Sequence, residues 1–562
     1  MTLRKFAILP VALVAACTGM PPPAAPVAQA PIEVQLLAFN DFHGNLETPP
    51  AVEVAEADGS KRTIVTGGAA NLAGALAQAR VGHPNTVTVS AGDTIGASPL
   101  ISAHYLDEPT IAAMNALGLE FNSVGNHEFD KGGDELRRMQ AGGCAKFTRR
   151  QPCAVERFAG ARFHYLAANV IGADGKTFFP ATGLKTFGSG REAITIGFIG
   201  MTLKSTGNLV TPSGVKGLSF ADEAATANSL VPALKAKGAD AIVLLIHQGG
   251  KTPTFTTGNG CDGLDGGILP ILAKLDPEIT TVVSGHTHWA YVCEGGSFGP
   301  RLLTSAGKNG YFFTDISLAF DHASHRLIGQ QAINNVVGHG ERGQAADVKA
   351  LVDRYAAAVA PVANRVVGRL DGPATRDEND WEGPAADLIA DSMLAATKAP
   401  DAGGAQIALV NVSGVRVTLP AGDVRYADAF SMMPFGNNLV VMTLTGAQLK
   451  AVLEQQYAGT NRASGKPSAL APSQGFTYTV DVRRPVQDRV VAMALGGMPI
   501  DPAGRYRVVV NNYMASGGDG LSGFTAGTEI TDQGIIDLDA LVAWIAKGQM
   551  PPRPDRVKAI TG

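Results

Sequence analysis

The chain has 562 residues, 45% of them hydrophobic, which is too long for one ordinary domain and ample for two cores. Its 46 Lys and Arg stand against 50 Asp and Glu, a net charge of −4 with no run of like charge, so neither a surface for polymeric nucleic acid nor a charged tail is expected. The 67 Gly and 33 Pro point to many tight loops rather than to disorder.

The first residues read as a targeting signal. Arg4 and Lys5 precede "FAILPVALVAA", which is apolar but too short and poorly flanked for a spanning helix. The segment ends in "VAAC", which resembles a bacterial lipobox. On that reading residues 1–16 are a lipoprotein signal peptide and Cys17 is lipidated; the alternative is an ordinary signal peptide cleaved near Ala16 or beyond. Residues 17–31 form a Pro/Ala-rich tether with little capacity to pack. The expected location is the periplasm or cell envelope, with the lipid anchor as the membrane contact.

Short apolar runs then alternate with helical segments. "VQLLAF" (34–39), "TVTVSA" (86–91), "FNSV" (121–124), "AITIGFIG" (193–200), "AIVLLI" (241–246) and "TVVS" (281–284) predict strands of a sheet covered on both faces. "DEPTIAAMNALG" predicts a helix with Asp107 as cap, Pro109 in its first turn and Gly118 as its stop. "AATANSLVPALKAKG" predicts another, and the alternation is an α/β pattern.

Five of the runs end in polar residues of one kind: Asp41 and His43; Asp93; Asn126, His127 and Asp130; His247; His286 and His288. In open α/β sheets ligands bind beyond the carboxyl ends of the strands, so these residues are expected to converge on one cleft. Each signal is weak alone. Together they offer oxygen and nitrogen donors suited to Zn, Mn, Fe or Co and not to Ca.

Four cysteines follow Cys17. An even count in an exported chain suggests disulfides, and the close spacing in "GGCAKFTRRQPCAV" favours Cys144–Cys153, leaving Cys261–Cys293. A cysteine metal site is disfavoured because no C-x-x-C spacing occurs.

The set D-x-H, G-D, G-N-H-E, a strand ending in His, and G-H-x-H, in this order, resembles the calcineurin-like metallophosphoesterases. "GNHEFD" with a long C-terminal half resembles, more narrowly, the bacterial 5′-nucleotidase/UDP-sugar hydrolase family, over roughly residues 32–540. The resemblance implies a four-layer α/β/β/α metallophosphatase domain at 32–340, a connecting helix at 341–363 and an α+β nucleotide-binding domain at 364–562. It implies two divalent metal ions, one held by Asp41, His43, Asp93 and His288, the other by Asp93, Asn126, His247 and His286. A carboxylate shared by both relieves the repulsion between the ions. His127 would face the transferring phosphoryl group, with Asp130 fixing its tautomer.

In the linker, Val348, Leu351, Val352, Tyr355 and Val359 fall on one helical face. Beyond it, "NVSGVR", "MPFGNN" and "NNYMASGGDG" match the family's nucleotide-binding positions. By that resemblance Phe435 and Tyr513 stack on the two faces of a base, Arg416 pairs with phosphate, Asp519 accepts from ribose hydroxyls, and Asn411 and Asn437 meet polar atoms of base or ribose. Trp381 stands where the family often carries a second phosphate-binding arginine, and Arg376 is near but offset.

The resulting expectation is an exported two-metal phosphohydrolase that releases phosphate from nucleoside 5′-monophosphates by attack of a metal-activated hydroxide. Alternatives that share the chemistry are a 2′,3′-cyclic-nucleotide phosphodiesterase/3′-nucleotidase, a UDP-sugar or dinucleotide pyrophosphatase, and a sulfonate-ester hydrolase of thiosulfate oxidation. A non-catalytic nucleotide-binding lipoprotein is the alternative from another class.

Overall fold

The computed structural model describes residues 30–561 apart from 57–58, 296–299, 340–342, 377–380 and 458–468; Cys17 and the tether before residue 30 therefore lie outside the described residues. Two six-stranded sheets form the first half. In one, Ile32–Phe39 runs parallel to Thr86–Ser90, which runs parallel to Leu119–Ser123. In the other, Ala241–His247 lies parallel between Ile194–Thr202 and Ile279–Ser284. Three of these strands begin two residues earlier than their apolar runs, where side chains such as Glu120 sit at the strand's entrance.

The pleat explains the continuous apolar runs. Val34, Leu36 and Ala38 point to one side and meet Val87, Val89, Val243 and Leu245, which places the sheets face to face. Leu37 and Phe39 point to the other side, under the helices Ala69–Ala79 and Glu108–Leu117. Ile242, Leu244 and Ile246 lie likewise beneath Glu223–Ala236. The layers are thus helix, sheet, sheet, helix. The central strands are buried on both faces, whereas the edge strands Thr182–Phe187 and Leu327–Val336 are partly exposed; each fully buried Leu or Val contributes about 1.5–3 kcal/mol.

Gly118 stops the helix Glu108–Leu117 with a left-handed φ of 83°, and Pro109 stands in the first turn. Asp107 departs from the expected cap. Its φ is 65° and its side chain makes no capping bond; the buried carboxylate instead accepts from Ser102 Oγ at 2.7 Å and from Lys131 Nζ. A carboxylate without exposure needs a cation more than a helix end needs a cap. The helix Glu223–Ala236 is capped by Asp222, which accepts from the Ala225 N–H at 3.1 Å.

The helix Ala346–Ala363 buries Val348, Leu351, Val352, Tyr355 and Val359. These join one apolar cluster that runs from Leu72 and Ile111 in the first half to Val367, Leu370 and Leu388 in the second. The second half is α+β. Its five-stranded sheet has Ile407–Asn411 and Arg505–Asn511 at the middle, covered by Pro384–Thr397 and Asp537–Ile545 on one face and Gly446–Gln455 on the other.

Cys144 and Cys153 are bonded, with Cα atoms 5.6 Å apart. The expected Cys261–Cys293 bond is absent: both are free thiols, in hydrogen-bond contact with each other. Burial pushes the Cys293 thiol up, which keeps it protonated and a poor nucleophile.

Asp387, on the helix Pro384–Thr397, is fully buried, and among the described residues neither carboxylate oxygen has a hydrogen-bond partner. Arg556 Nε stands 3.8 Å away. Burial raises this carboxyl to about 8 against the pull of Arg556. In the unfolded chain it ionises near 3.9. The folded state therefore keeps a proton that the unfolded state releases, and stability falls as pH rises from about 4 to about 8, then levels. Asp387→Asn should gain in melting temperature over wild type progressively between pH 5 and pH 8. An equal difference at both pH values in thermal melts would contradict this.

Candidate active site

The strands that carry the motifs end side by side: Phe39 pairs with Ser90, and Ile246 with Ser284. Immediately beyond these ends the backbone turns left-handed at non-glycine residues. Asp41 and His43 have φ 49°, Asp93 51°, His286 72° and His288 64°. Such a conformation costs roughly 1–2 kcal/mol per residue. Cross-loop hydrogen bonds hold it. Asp41 N–H donates to Gly92 O at 3.0 Å, His43 N–H to Asp93 O at 2.9 Å, and His286 N–H to Asp41 Oδ2 at 2.9 Å. Asn40 Nδ2 donates to Asp41 Oδ2 at 2.7 Å and to Gly307 O at 2.8 Å.

Glu128 joins two loops. Its buried carboxylate accepts the N–H groups of Asp93 and Thr94 at 2.8 Å and of Gly125 at 2.7 Å. Gly125 has no alternative: a Cβ there would stand 2.1 Å from Asp93 Oδ1.

Two groups of side chains result, Asp41 with His43 and His288, and Asp93 with His247 and His286; within each, the ligand atoms lie within 4.8 Å of one another. His43 Nδ1 lies 2.9 Å from Gly96 O, and His247 Nδ1 lies 2.8 Å from Ala91 O. Those carbonyls assign the ring protons to Nδ1 and leave Nε2 lone pairs aimed inward. His43 Nε2 faces His288 Nε2 at 3.1 Å, and Asp93 Oδ2 lies 2.9 Å from His247 Nε2 and 3.8 Å from His43 Nε2. Asn126 Oδ1 is buried without a hydrogen-bond partner among the described residues. Carboxylate, amide and imidazole donors converging in this way fit divalent cations. Burial holds His43 and His286 down to about 3, the neutral form a metal requires.

His127 differs. Burial alone would lower it, but the carboxylates of Asp130 and Asp93 outweigh burial and lift it to about 9. Its Nδ1 lies 2.9 Å from Asp130 Oδ2, leaving Nε2 free.

A cavity of about 240 Å³ lies between the halves, lined by Asn126, His127, Asp130 and His286 from the first. Asn411, Arg416, Phe435, Asn437, Tyr513 and Asp519 line it from the second. The Phe435 ring lies parallel to His127, centroids 6.3 Å apart, with Arg416 Cζ 5.7 Å above it. Asp519 Oδ2 accepts from Asn411 Nδ2 and Ser413 Oγ, each at 2.9 Å, and Oδ1 accepts from Tyr513 Oη–H at 2.8 Å. Trp381 is packed on the core of the second half, its indole N–H donating to Tyr457 Oη at 3.0 Å.

Sequence reasoning missed Glu128, Ser413 and Asp537. Asp537 lines the cavity and its N–H donates to Asn437 O at 2.9 Å, so it helps to place Asn437. Glu128 lies inside the G-N-H-E motif and could have been found there; Asp537 carried no signal beyond that of a helix start.

Residues 34–290 match the calcineurin-like phosphoesterase family, and residues 365–526 match the 5′-nucleotidase C-terminal domain family. Fold and site together define a metal-dependent phosphoester hydrolase. The chain thus joins a calcineurin-like phosphoesterase domain to a 5′-nucleotidase C-terminal domain. It is 28% identical over 495 residues to the endonuclease YhcR of Bacillus subtilis, covering 87% of this chain and only 37% of that protein. It is 26% identical over 565 residues to the NAD 5′-nucleotidase of Haemophilus influenzae, covering 89% of this chain and 87% of that one. Among solved structures, the 5′-nucleotidase precursor from Thermus thermophilus superposes with a TM-score of 0.72 at 24% identity, over 94% of this chain and 99% of the other.

Glu128 touches no substrate and is not in either ligand group, yet it fixes the backbone of Asp93. Glu128→Ala should weaken metal binding by about 10–100-fold, as loss of a ligand's supporting partner does. Competition against a graded chelator measures this; unchanged affinity in a folded variant would refute the assignment.

Proposed function

We propose that this protein is an exported, lipid-anchored phosphohydrolase that releases phosphate from nucleoside 5′-monophosphates. The observation that carries the reading is the cavity in which His127 and His286 face Arg416, Phe435, Asn437, Tyr513 and Asp519. Phosphoester chemistry and a site for a planar base share one space.

Two divalent ions, of Zn, Mn, Co or Fe, held by Asp41, His43, Asp93 and His288 and by Asp93, Asn126, His247 and His286, would supply Lewis acidity toward the phosphoryl oxygens and a water made acidic enough to attack at neutral pH. Asp130 keeps the His127 Nδ1–H engaged, so Nε2–H is presented to the phosphoryl group and can protonate the departing ribose oxygen. Arg416 draws the phosphate toward that imidazole. Phe435 and Tyr513 hold the base by stacking, a contact of ~1–3 kcal/mol per base that tolerates base identity. Asp519 already accepts three hydrogen bonds, and a carboxylate has about four lone-pair sites, so one remains for a ribose hydroxyl. Binding energy from the base then positions the phosphate.

Phe435→Ala with Tyr513→Ala should cripple hydrolysis of AMP and largely spare p-nitrophenyl phosphate. His127→Ala should lose ~10²–10³ in kcat on both substrates with its metals retained. Equal losses on both substrates in the aromatic double variant, with fold and metals intact, would sink the nucleotide reading.

The lipid anchor rests on "VAAC" before the Pro/Ala-rich tether. Cys17→Ser should leave the protein unprocessed or move it out of the membrane fraction. Processing to mature size with unchanged membrane partition would rule out lipidation.

A further inference from the structure

The carboxylate assigned to the sugar is already the centre of a closed set of hydrogen bonds. Asn411 Nδ2 and Ser413 Oγ both donate to Asp519 Oδ2 at 2.9 Å. Asn411 Nδ2 also donates to Ser413 Oγ at 3.2 Å, so the serine accepts from the amide and gives its own proton to the carboxylate. Tyr513 closes the other side. Its Oη–H donates to Asp519 Oδ1 at 2.8 Å, and its oxygen accepts the Asp519 N–H at 2.9 Å. The phenol has one proton, and a second acceptor, Asn208 O, stands at 3.5 Å; the shorter bond to a charged oxygen prevails.

The backbone is shaped around this set. Asp519 sits in the left-handed region at φ 55° and ψ 20°, which a non-glycine residue adopts at a cost. The Tyr513 ring lies against Gly518, where a Cβ would stand 2.5 Å from the ring. Asn511 Oδ1 accepts the Met514 N–H at 2.8 Å and so caps the short helix Asn512–Ala515 that carries Tyr513. Asn411, Ser413, Asn511, Tyr513 and Asp519 all line the cavity between the halves.

A carboxylate has about four lone-pair sites, two on each oxygen. On Asp519, Oδ2 has both sites filled and Oδ1 has one filled. A ribose offers two neighbouring hydroxyls, and gripping both takes two free sites. We infer that Ser413 and the Tyr513 hydroxyl are specificity-determining residues: by occupying Asp519 they leave it room for one sugar hydroxyl, so nucleoside monophosphates that lack the other hydroxyl are substrates as well. This rests on the nucleotide reading above and narrows what the sugar must supply. A ring without a hydroxyl would stack on a base equally well, so the work of the Tyr513 oxygen is done on the carboxylate.

The test compares kcat/KM of the metal-loaded full-length protein for AMP and for its 2′-deoxy and 3′-deoxy analogues. One analogue should stay within about threefold of AMP, and the other should lose on the order of tenfold or more, as for a hydrogen bond to a charged group. Ser413→Ala frees a site on Oδ2, and Tyr513→Phe frees one on Oδ1. In each variant both analogues should then fall behind AMP by about tenfold. Ratios taken within one preparation cancel any loss of folded enzyme, and a merely structural effect would lower all three substrates alike. Wild-type losses of about tenfold on both analogues, or on neither, overturn the inference. A pattern unchanged from wild type in both variants also overturns it. In these outcomes AMP is still hydrolysed, and the nucleotide reading stands. Turnover of p-nitrophenyl phosphate with none of AMP would defeat the nucleotide reading, and this inference with it.

Discussion

The site depends on keeping strained strand-end turns closed around each other. Asp41, His43, Asp93, His286 and His288 all sit in left-handed backbone that a β-branched or bulky residue avoids and that even Asp and His adopt at a cost. The conformation lets consecutive loops turn their side chains back over the sheet edge. It persists because each loop satisfies the polar backbone of the next: Asp41 with Gly92, His43 with Asp93, His286 with Asp41, and Glu128 with Asp93, Thr94 and Gly125. Beneath them the apolar layers around Leu36, Val89, Leu245 and Val283 leave the strands no freedom to shift register. Ligand geometry is therefore a product of two cores and one hydrogen-bonded rim.

Electrostatics then divides the cleft. The first half presents acceptors: carboxylates, neutral imidazole lone pairs and an amide oxygen. The second half presents Arg416 and aromatic faces. His127 stands at the boundary, paired with Asp130 on one side and parallel to Phe435 on the other. A ligand that is anionic at one end and planar at the other is complementary to both sides; a sulfonate ester without a base would leave Phe435 and Tyr513 unused.

Much of this was legible in the sequence because it rests on local chemistry. The apolar runs needed no tertiary information to be read as doubly covered strands, and the five polar strand ends announced a cleft through their order alone. The face of the 346–363 helix was equally plain, since Val348, Leu351 and Tyr355 repeat at helical spacing. What could not be read depends on partners distant in the chain. Asp107 looked like a cap because its rival, Lys131, lies outside the local window. The Cys261–Cys293 pairing followed from elimination, but the sulfurs meet as thiols. The role of Glu128 as a clamp across 35 residues, and the use of all three hydrogen bonds on Asp519, required the folded arrangement.

The continuous apolar cluster through the 346–363 helix adds a mechanical constraint. Because Val352, Tyr355 and Val359 pack in the same cluster as residues of both halves, relative motion of the halves must repack that cluster or pivot about the helix ends. Apolar side chains slide over one another at small cost, whereas separating them exposes area at about 25 cal/mol per Å². Rotation that keeps the helix buried is thus favoured over opening that lifts it away. Such a rotation would carry Arg416, Phe435 and Tyr513 together past the first half, because they lie on the segments that follow Ile407–Asn411, precede Asn438–Thr445 and follow Arg505–Asn511, at one edge of a single sheet. The strained rim would stay untouched throughout, since its hydrogen bonds run between loops of the first half.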